Sequence, residues 1–402
     1  MSSQRILLPI SRRALLSGAA GAATLAVASP LRMPALAQNA PLKVGMMLPY
    51  TGTYAKLGQF IDDGFKLYVE QKGGKLGGRA ISFVQVDDES KPEAATDNMN
   101  RLVGREKADV VVGTVHSGVA MAMVKVARDT NTLLIIPNAG ANDATGPACA
   151  PNIFRTSFSN WQTTFPMGKV MADIGIKNVA TITWRYTAGA EMIGAFSENF
   201  TKHGGKIVED LTLPFPEVEF QALITRIAAL KPDAVFSFFA GGGAVKFVKD
   251  YAAAGLNKTI PLYGAGFLTD GTLEAQGEAA TGIKTTLHYA DNLDHAANTA
   301  FLKAFKAKTA KDGDIYAVQG FDSAALLDIG LTSVGGDFTA RDTMIAAMGA
   351  ARIDSPRGPL TFNKAHNPIQ NIYLREVRNG RNELLSVAQA NVDDPARGCK
   401  IS

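Results

Sequence analysis

Apolar and polar positions follow two alternating patterns along the chain from residue 42 onward. Short runs rich in β-branched residues alternate with longer segments in which apolar residues recur every three or four positions. The short runs predict buried strands, and the longer segments predict helices with one buried face. A first series predicts strands in KVGMML and at 81–86, 109–112 and 133–136, with helices at 57–68, from 92 and from 119. Strands that alternate with helices indicate a parallel sheet.

A second series repeats this alternation after residue 160. It predicts strands at 179–183, 207–213, 234–239 and 261–263, separated by helices at 188–203, 220–230 and 244–254. After residue 282 the order is less regular, with strands at 283–287, 359–362 and 372–377 and helices at 297–308, 316–334 and 341–348. Because this last stretch forms no third core, we expect it to complete both lobes.

The pattern therefore predicts an α/β fold with two Rossmann-like lobes, each built on a parallel-rich central sheet. Residues 38–158 and about 289–358 are assigned to the first lobe, and residues 159–288 and about 359–402 to the second. In this arrangement the chain crosses between the lobes several times. Crossings bundled at one edge form a hinge, which suits a protein that closes on a ligand.

The composition is consistent with two lobes, and the N-terminus adds an export signal. The chain has 402 residues, 46% of them hydrophobic and 19% charged, which is globular but long for one hydrophobic core. Arg12 and Arg13 precede a weakly apolar, Ala- and Gly-rich run, and residues 35–37 provide the small side chains of a cleavage site. We predict a twin-arginine signal at 1–37, cleavage near Ala37 and a periplasmic mature protein. A membrane anchor is disfavoured, because the run is short for a span of about 20 residues.

The charge balance bears on a nucleic-acid partner, and the cysteine content bears on a disulfide. The chain carries 41 basic and 37 acidic residues, but four arginines and no acid fall within the predicted signal, so the mature chain is close to neutral. A nucleic-acid partner is therefore not expected. Two cysteines, Cys149 and Cys399, are present, and in an oxidising compartment two such residues more often pair than stay free. We predict a disulfide between them.

The sequence contains no recognisable catalytic constellation. The five histidines show no spacing that places two on one helix face with a carboxylate, so a metal site is not expected. Ser117 lies in TVHSG, which lacks the glycine that a nucleophile elbow has two residues before its serine. The three glycines at 241–243 lack the spacing of a phosphate-binding fingerprint, and the acids at 87–89 are interpreted as a helix start. The sequence thus predicts no enzyme, no metal and no cofactor.

Two loops at predicted strand ends of the first lobe favour a ligand site. Ligands of open α/β sheets bind at the carboxyl ends of strands, where helix N-termini present unpaired N–H groups. Small residues and a hydroxyl group there suit a carboxylate, whose oxygens must approach the backbone closely. Helix capping explains either loop alone, but two such loops in one half-sheet favour a ligand. The residues are His116, Ser117, Gly118, Asn138, Ala139 and Gly140.

Aromatic residues gather at the corresponding strand ends of the second lobe. Such residues suit an apolar ligand, although Phe238 and Phe239 fit a buried core equally well. With Tyr54 from the first loop of the chain, the further predicted ligand contacts are Trp184, Arg185, Tyr186, Phe239, Ala240, Gly266 and Phe267.

The motifs at these positions resemble the leucine/isoleucine/valine-binding family of ABC-transporter substrate-binding proteins, which are type I periplasmic binding proteins. The resemblance runs from about residue 42 to the C-terminus and lies in KVGMMLPYTGTYAKLGQ, ADVVVGTVHSG, LLIIPNAGAND followed by NIFRTSFSN, KPDAVFSFFAGGGAVKFVKDYAAAGL and GPLTFN. It implies the hinged two-lobed fold and delivery of a small-molecule ligand to an ABC permease at the inner membrane. It also implies that the loops at 116–118 and 138–140 hold a ligand carboxylate.

The sequence departs from the amino-acid binders of this family at two positions. Those proteins place an acid in the loop after the strand at 261–263 to pair the ligand ammonium group, and Gly266 stands there instead. Ala240 stands where they have an aromatic or polar residue. A buried ammonium group without a partner is costly. The pattern is more similar to the subgroup that binds benzoate- or cinnamate-type acids, so a small aromatic carboxylate is the predicted ligand.

Alternatives to this interpretation stay open at the level of sequence. A branched-chain or other amino acid remains a candidate ligand if Glu191, Asp270 or another acid pairs its ammonium group. The same fold also serves as a ligand sensor that reports to a receptor instead of feeding a transporter. In each case we expect the mature protein to be a monomer.

Overall fold

The computed structural model describes residues 40–401, and the predicted export signal at 1–37 lies outside this range. A six-stranded sheet forms from the first part of the described chain. Its strands are β1 (Leu42–Leu48), β2 (Lys75–Leu76), β3 (Arg79–Asp87), β4 (Val110–Val112), β5 (Leu133–Ile136) and β6 (Ile153–Arg155). Their spatial order is β2-β3-β1-β4-β5-β6, and all pairs are parallel except β2 with β3.

A nine-stranded sheet forms from the rest of the chain. Its strands are β7 (Asn178–Arg185), β8 (Lys206–Pro214), β9 (Ala234–Phe238), β10 (Leu262–Ala265), β11 (Lys284–Leu287), β12 (Ile353–Ser355), β13 (Gly358–Phe362), β14 (Pro368–Arg378) and β15 (Arg381–Val392). The spatial order is β12-β13-β14-β11-β10-β9-β7-β8, with β15 paired to β14. Strands β7 to β11 are mutually parallel, whereas β12 to β15 are added in antiparallel pairs.

Helices connect the strands and cover both sheets. They are α1 (Ala55–Gln71), α2 (Pro92–Asn100), α3 (Ser117–Thr130), α4 (Asn160–Asp173), α5 (Thr187–Lys202), α6 (Gln221–Leu230), α7 (Gly241–Ala253), α8 (Leu273–Gln276), α9 (Ala296–Thr309), α10 (Ile315–Ser333) and α11 (Arg341–Gly349). A π-helical turn at Arg101–Arg105 continues α2. No helix within residues 40–401 combines the length and apolarity needed to cross a bilayer.

The first sheet is buried on both faces, which explains why its strands are apolar throughout. One face of β1 packs under α1, where Leu57 and Ile61 are buried. The other face packs under α3, where Val119 and Met123 are buried. Parallel strands covered on both faces read as continuous apolar runs. Each fully buried side chain of this kind contributes about 1.5–3 kcal/mol relative to exposure.

The α/β fold with two sheets predicted from the sequence is confirmed, but several elements differ from the prediction. Helix α4 is absent from the predicted elements because Thr163, Thr164 and Gly168 dilute its apolar face. Strands β2, β6 and β12 are too short to produce a recognisable period. Strand β15 exposes most of its side chains and is held by backbone pairing to β14, so its sequence lacks the alternation of a half-buried strand.

The last part of the chain packs with both sheets. Helix α10 lies along α1 beside the first sheet, and α11 packs on α10. Strands β12 to β15 then extend the second sheet. A disulfide joins Cys149 to Cys399, whose Cα atoms are 5.6 Å apart, so the predicted pairing is confirmed. It connects the loop before β6 to the C-terminal segment.

Candidate functional site

A cavity lies between the two sheets, where the loops after β1, β4, β5, β6, β7, β9 and β10 meet. The space in it that a water-sized sphere can occupy is about 20 Å³, enough for about one water molecule, so a ring-sized ligand requires its walls to move apart. The lining residues are Tyr54, Leu57, Val115, Ser117, Asn138, Gly140, Phe158, Asn160, Tyr186, Ala188, Met192, Phe238, Ala240, Phe267 and Tyr316. None of these side chains is an acid, a lysine, an arginine or a histidine.

The N-terminus of α3 forms one end of this cavity. The helix begins at Ser117, and His116 caps it, because its Nδ1 accepts hydrogen bonds from the N–H groups of Gly118 at 3.1 Å and Val119 at 3.4 Å. The backbone N–H of Ser117 donates to no other group in the described chain. Burial lowers the pKa of His116 to about 4, so the capping ring is neutral at neutral pH. A helix N-terminus with a free N–H favours an anion.

The loop after β5 presents a second backbone donor. Nη1 of Arg155 donates to the carbonyl oxygens of Ala139 at 3.5 Å and Ala141 at 2.7 Å. The carbonyl of Ala139 and the N–H of Gly140 belong to one trans peptide unit, so they point in opposite directions. The Gly140 N–H therefore points away from Arg155, and within residues 40–401 it donates to no group. Free N–H groups at Ser117 and Gly140 thus line the same cavity.

Arg155 is a buried charge behind this loop that the sequence analysis did not select. Its side chain is fully buried, and its contacts are hydrogen bonds to neutral groups, among them Oδ1 of Asn367 at 2.7 Å and the hydroxyl of Thr145. Asp394 and Glu191 act on it at longer range. Burial lowers the pKa of Arg155 to about 10, so the guanidinium remains protonated at neutral pH. Its charge favours an anion in front of the loop.

Aromatic rings form most of the remaining wall. The hydroxyls of Tyr54 and Tyr186 are 3.0 Å apart, so one donates to the other across the cleft. The His116 ring stacks on Tyr186 with centroids 4.7 Å apart. The rings of Phe158 and Phe267, also 4.7 Å between centroids, form the wall on another side. The cavity therefore offers flat apolar surfaces beside a few polar groups, as small-molecule sites commonly do.

Seven of the predicted contacts line the cavity, and the remaining seven do not. The seven in the lining are Tyr54, Ser117, Asn138, Gly140, Tyr186, Ala240 and Phe267. His116, Gly118 and Ala139 lie in the same loops, where they cap α3 or turn toward Arg155. Arg185 is exposed to solvent.

Trp184, Phe239 and Gly266 lie behind the cavity wall. Trp184 is absent from the lining, because its ring packs against Phe215 and Phe239 and its Nε1 donates to the carbonyl of Glu217 at 2.8 Å. Phe239 is fully buried among other core phenylalanines. A Cβ atom at Gly266 would lie 2.6 Å from both Nη2 of Arg375 and Cβ of Leu287. An acidic side chain therefore has no room at that position.

The sequence analysis missed other lining residues, and only some of them had a usable signal. Phe158 and Asn160 follow β6, so the strand-end rule applies to them once that short strand is known. Gly140 lies against both, because an added Cβ would be 2.2 Å from Oδ1 of Asn160 and 2.5 Å from Cε2 of Phe158. Tyr316 opens α10 without a preceding strand, so no local pattern marks it. The other missed residues are Leu57, Val115, Ala188, Met192 and Phe238.

The two acids considered as partners for an ammonium group are occupied elsewhere. Asp270 forms a buried ion pair with Arg375, with Oδ2 and Nη2 2.5 Å apart. Oε2 of Glu191 accepts hydrogen bonds from the N–H of Asn142 at 3.0 Å and from Nδ2 of Asn160 at 2.7 Å. Neither acid lines the cavity.

The acids at 87–89 do not cap helix α2, contrary to the interpretation from sequence. Asp87 accepts hydrogen bonds from the N–H and hydroxyl groups of the loop after β1 and from the N–H of Glu89. Asp88 accepts from the hydroxyl of Thr114 and the N–H of Ser90. They stabilise loops near the cavity because carboxylates satisfy several donors at once. Residues 40–401 contain no cluster of acids, histidines and cysteines arranged to hold a metal ion.

A family model and a related protein sequence both match most of this chain and indicate the same family. The family described as periplasmic binding protein matches residues 41–382. A Leu/Ile/Val-binding protein homolog 6 of Brucella melitensis is 30% identical over 343 residues, which cover 84% of this chain and 87% of that protein.

Solved structures extend the comparison to ligand complexes. An ABC-transporter solute-binding protein of R. palustris in complex with benzoate is 54% identical, with a TM-score of 0.88, covering 90% of this chain and all of the other. A solute-binding protein of Rhodopseudomonas palustris BisB5 in complex with 3,4-dihydroxybenzoic acid is 32% identical, with a TM-score of 0.84, covering 88% of this chain and 99% of the other.

Proposed function

Because the chain belongs to the periplasmic binding protein family, we propose that it is the periplasmic solute-binding protein of an ABC importer and that it binds a small aromatic monocarboxylate of the benzoate or cinnamate type. The observation that carries this proposal is an uncharged, aromatic-lined cavity with free backbone N–H groups at one end. The benzoate and dihydroxybenzoate complexes of similar proteins support the same ligand class.

The carboxylate is proposed to bind at the loops that contain Ser117 and Gly140. The carboxylate would accept hydrogen bonds from two backbone N–H groups and from the Ser117 hydroxyl. The N-terminal dipole of α3 also attracts it, although no side-chain cation touches it. The Arg155 charge behind the loop adds attraction. The ring then contacts Phe158, Phe267 and the other aromatic walls, where apolar contact stabilises the complex without further polar groups.

An amino acid is a poorer ligand for this cavity. Its ammonium group needs a carboxylate partner, since a buried and unpaired charge is strongly disfavoured. Glu191 and Asp270 hydrogen-bond elsewhere, and Gly266 has no space for a replacement acid. A benzoate-type acid has no ammonium group and avoids this cost.

Ligand uptake is proposed to proceed by closure of two lobes about a hinge, without chemistry on the ligand. Lining residues come from the loops of both sheets, so a ligand that contacts both sides has greater affinity for the closed state. We further propose that the hinge lies where the chain crosses near residues 158, 288 and 358, and that export uses the twin-arginine signal. Solution scattering should show a smaller radius of gyration with saturating benzoate, and an unchanged radius would contradict closure.

The ligand class is tested by calorimetry on the mature protein with benzoate, benzamide and leucine. Benzoate should bind at least about tenfold more tightly than benzamide, because charge-assisted hydrogen bonds are about twice as strong as neutral ones and the amide directs a donor at donors. Leucine should bind weakly or not at all. Equal affinities for benzoate and benzamide, or tight binding of leucine, would overturn the proposed ligand.

A matched pair of serine variants tests where the carboxylate lies. Ser117→Ala should weaken benzoate binding about ten- to hundredfold, since a hydrogen bond to a charged group contributes about 1.5–3 kcal/mol. Ser237→Ala is the control, because Ser237 is also buried but its hydroxyl contacts the carbonyl of Tyr263 and does not line the cavity. Gly140 is unsuitable for this test, since any side chain there would collide with Phe158 and Asn160 before it met a ligand.

A further inference from the structure

One hydroxyl group in the cavity wall has no hydrogen-bond partner. Tyr316 is buried and lines the cavity, and its hydroxyl contacts no donor or acceptor within residues 40–401. The other two tyrosines in the lining, Tyr54 and Tyr186, hydrogen-bond to each other. A buried hydroxyl without a partner has lost its hydrogen bonds to water and has formed none in the protein. Its burial is therefore unfavourable unless a ligand provides a hydrogen-bond partner.

Two aromatic rings lie between Tyr316 and the proposed carboxylate site at Gly140. Gly140 is in contact with Phe158, which packs on Phe267 with centroids 4.7 Å apart. Phe267 in turn neighbours Tyr316, with centroids 6.3 Å apart. The two phenylalanine rings therefore connect Gly140 to Tyr316 through successive contacts. A benzoate ring stacked on this wall directs its carboxylate to one end and its far edge to the other.

The surroundings of Tyr316 disfavour a carboxylate at its own end. Asp314 accepts a hydrogen bond from the backbone N–H of Tyr316 at 2.9 Å. Burial raises the pKa of the Tyr316 hydroxyl, and Asp270 and Asp314 add to this shift. The backbone at Gly271 lies close to both residues, because an added Cβ there would be 3.2 Å from the Tyr316 ring and 3.3 Å from Oδ2 of Asp314. A ligand carboxylate here would meet no free cation, because the nearby Arg375 is paired with Asp270, whereas a neutral hydroxyl needs no cation.

We propose that the Tyr316 hydroxyl binds a hydroxyl group on the ligand ring, at the end away from the carboxylate, and so selects hydroxylated benzoates over benzoate. This inference rests on the proposed function and specifies its ligand class. A ring hydroxyl can both accept and donate a hydrogen bond, so it can pair with the Tyr316 hydroxyl whether the tyrosine donates or accepts.

The test compares benzoate, 3-hydroxybenzoate and 4-hydroxybenzoate by calorimetry on the mature protein and on Tyr316→Phe. The wild-type protein should bind at least one hydroxybenzoate about five- to tenfold more tightly than benzoate, as expected for one completed buried hydrogen bond. Tyr316→Phe should abolish this preference while benzoate affinity stays within about twofold, because the ring contact is kept. Tyr251→Phe is the control, since its buried hydroxyl donates to the carbonyl of Ile260 outside the cavity.

The possible outcomes separate this inference from the proposed function. If no benzoate binds the wild-type protein, the ligand class itself is wrong and this inference falls with it. If benzoates bind but Tyr316→Phe leaves the hydroxybenzoate preference unchanged, Tyr316 does not contact the ring hydroxyl. If Tyr316→Phe weakens benzoate and hydroxybenzoate equally, the tyrosine binds the carboxylate, and the assignment of the two ends is reversed.

Discussion

Acid titration of His116 should weaken the folded state by a predictable amount. The neutral ring caps α3 through Nδ1, and protonation would convert that acceptor into a donor facing two N–H groups. Burial lowers the pKa of His116 to about 4 in the folded chain, whereas an unfolded histidine titrates near about 6.5. Between these values the unfolded chain binds a proton that the folded chain does not, so stability is retained above about 6.5 and lost as the pH falls toward about 4.

The size of this loss follows from the difference in pKa. One pKa unit corresponds to about 1.36 kcal/mol, so His116 should cost about 3 kcal/mol of folding stability between neutral pH and a pH of about 4. His116→Asn isolates the effect, because asparagine also caps a helix N-terminus but does not titrate. The variant loses the stack on Tyr186 at every pH, at a cost of about 0.5–1.5 kcal/mol.

Urea unfolding of both proteins across this pH range measures the effect. Burial also lowers the pKa values of His288 and His366, but these residues are common to both proteins and cancel in the difference. The wild-type protein should lose about 3 kcal/mol more than His116→Asn on acidification. Parallel pH profiles for the two proteins would show that the His116 ring is not held neutral by burial, and would refute the reasoning.

Three further predictions concern stability and export. Replacing Cys149 and Cys399 by serine should lower the free energy of unfolding by about 5 kcal/mol, because the disulfide closes a loop of 250 residues and so restricts the unfolded chain. Urea unfolding that matches the wild type would contradict this prediction. Trp184→Phe should cost about 1–3 kcal/mol of stability yet leave benzoate affinity within about threefold, because the side chain is behind the wall; a larger calorimetric loss would place it in the site. Lysines at Arg12 and Arg13 should retain the precursor in the cytoplasm, as judged by immunoblotting of cell fractions, and a normal periplasmic yield would exclude the twin-arginine route.

Some of the site could be predicted from sequence because it follows from local rules. Strand ends carry ligand loops in any parallel α/β sheet, so Ser117, Asn138 and Gly140 could be selected once the strands before them were recognised. The same rule failed for Phe158 and Asn160, because β6 is a three-residue strand that ends in the charged Arg155, whereas the equally short β4 consists of three valines. The pairing of the cysteines followed from their number and from the oxidising compartment that the export signal predicts.

The sequence by itself determined the alternation of strands and helices, apart from α4, α8, β2, β6, β12 and β15, since hydrophobic periodicity records which face of each segment is buried. Tertiary structure decided which neighbour at a strand end faces the cavity, as with Tyr186 inside and Trp184 behind the wall. It also decided that Arg155 supports the loop at 139–141 and that Tyr316 leaves a hydroxyl unpartnered in the cavity. Such contacts join residues far apart in the chain, and their geometry depends on how whole sheets and helices pack, which no local pattern of side chains records.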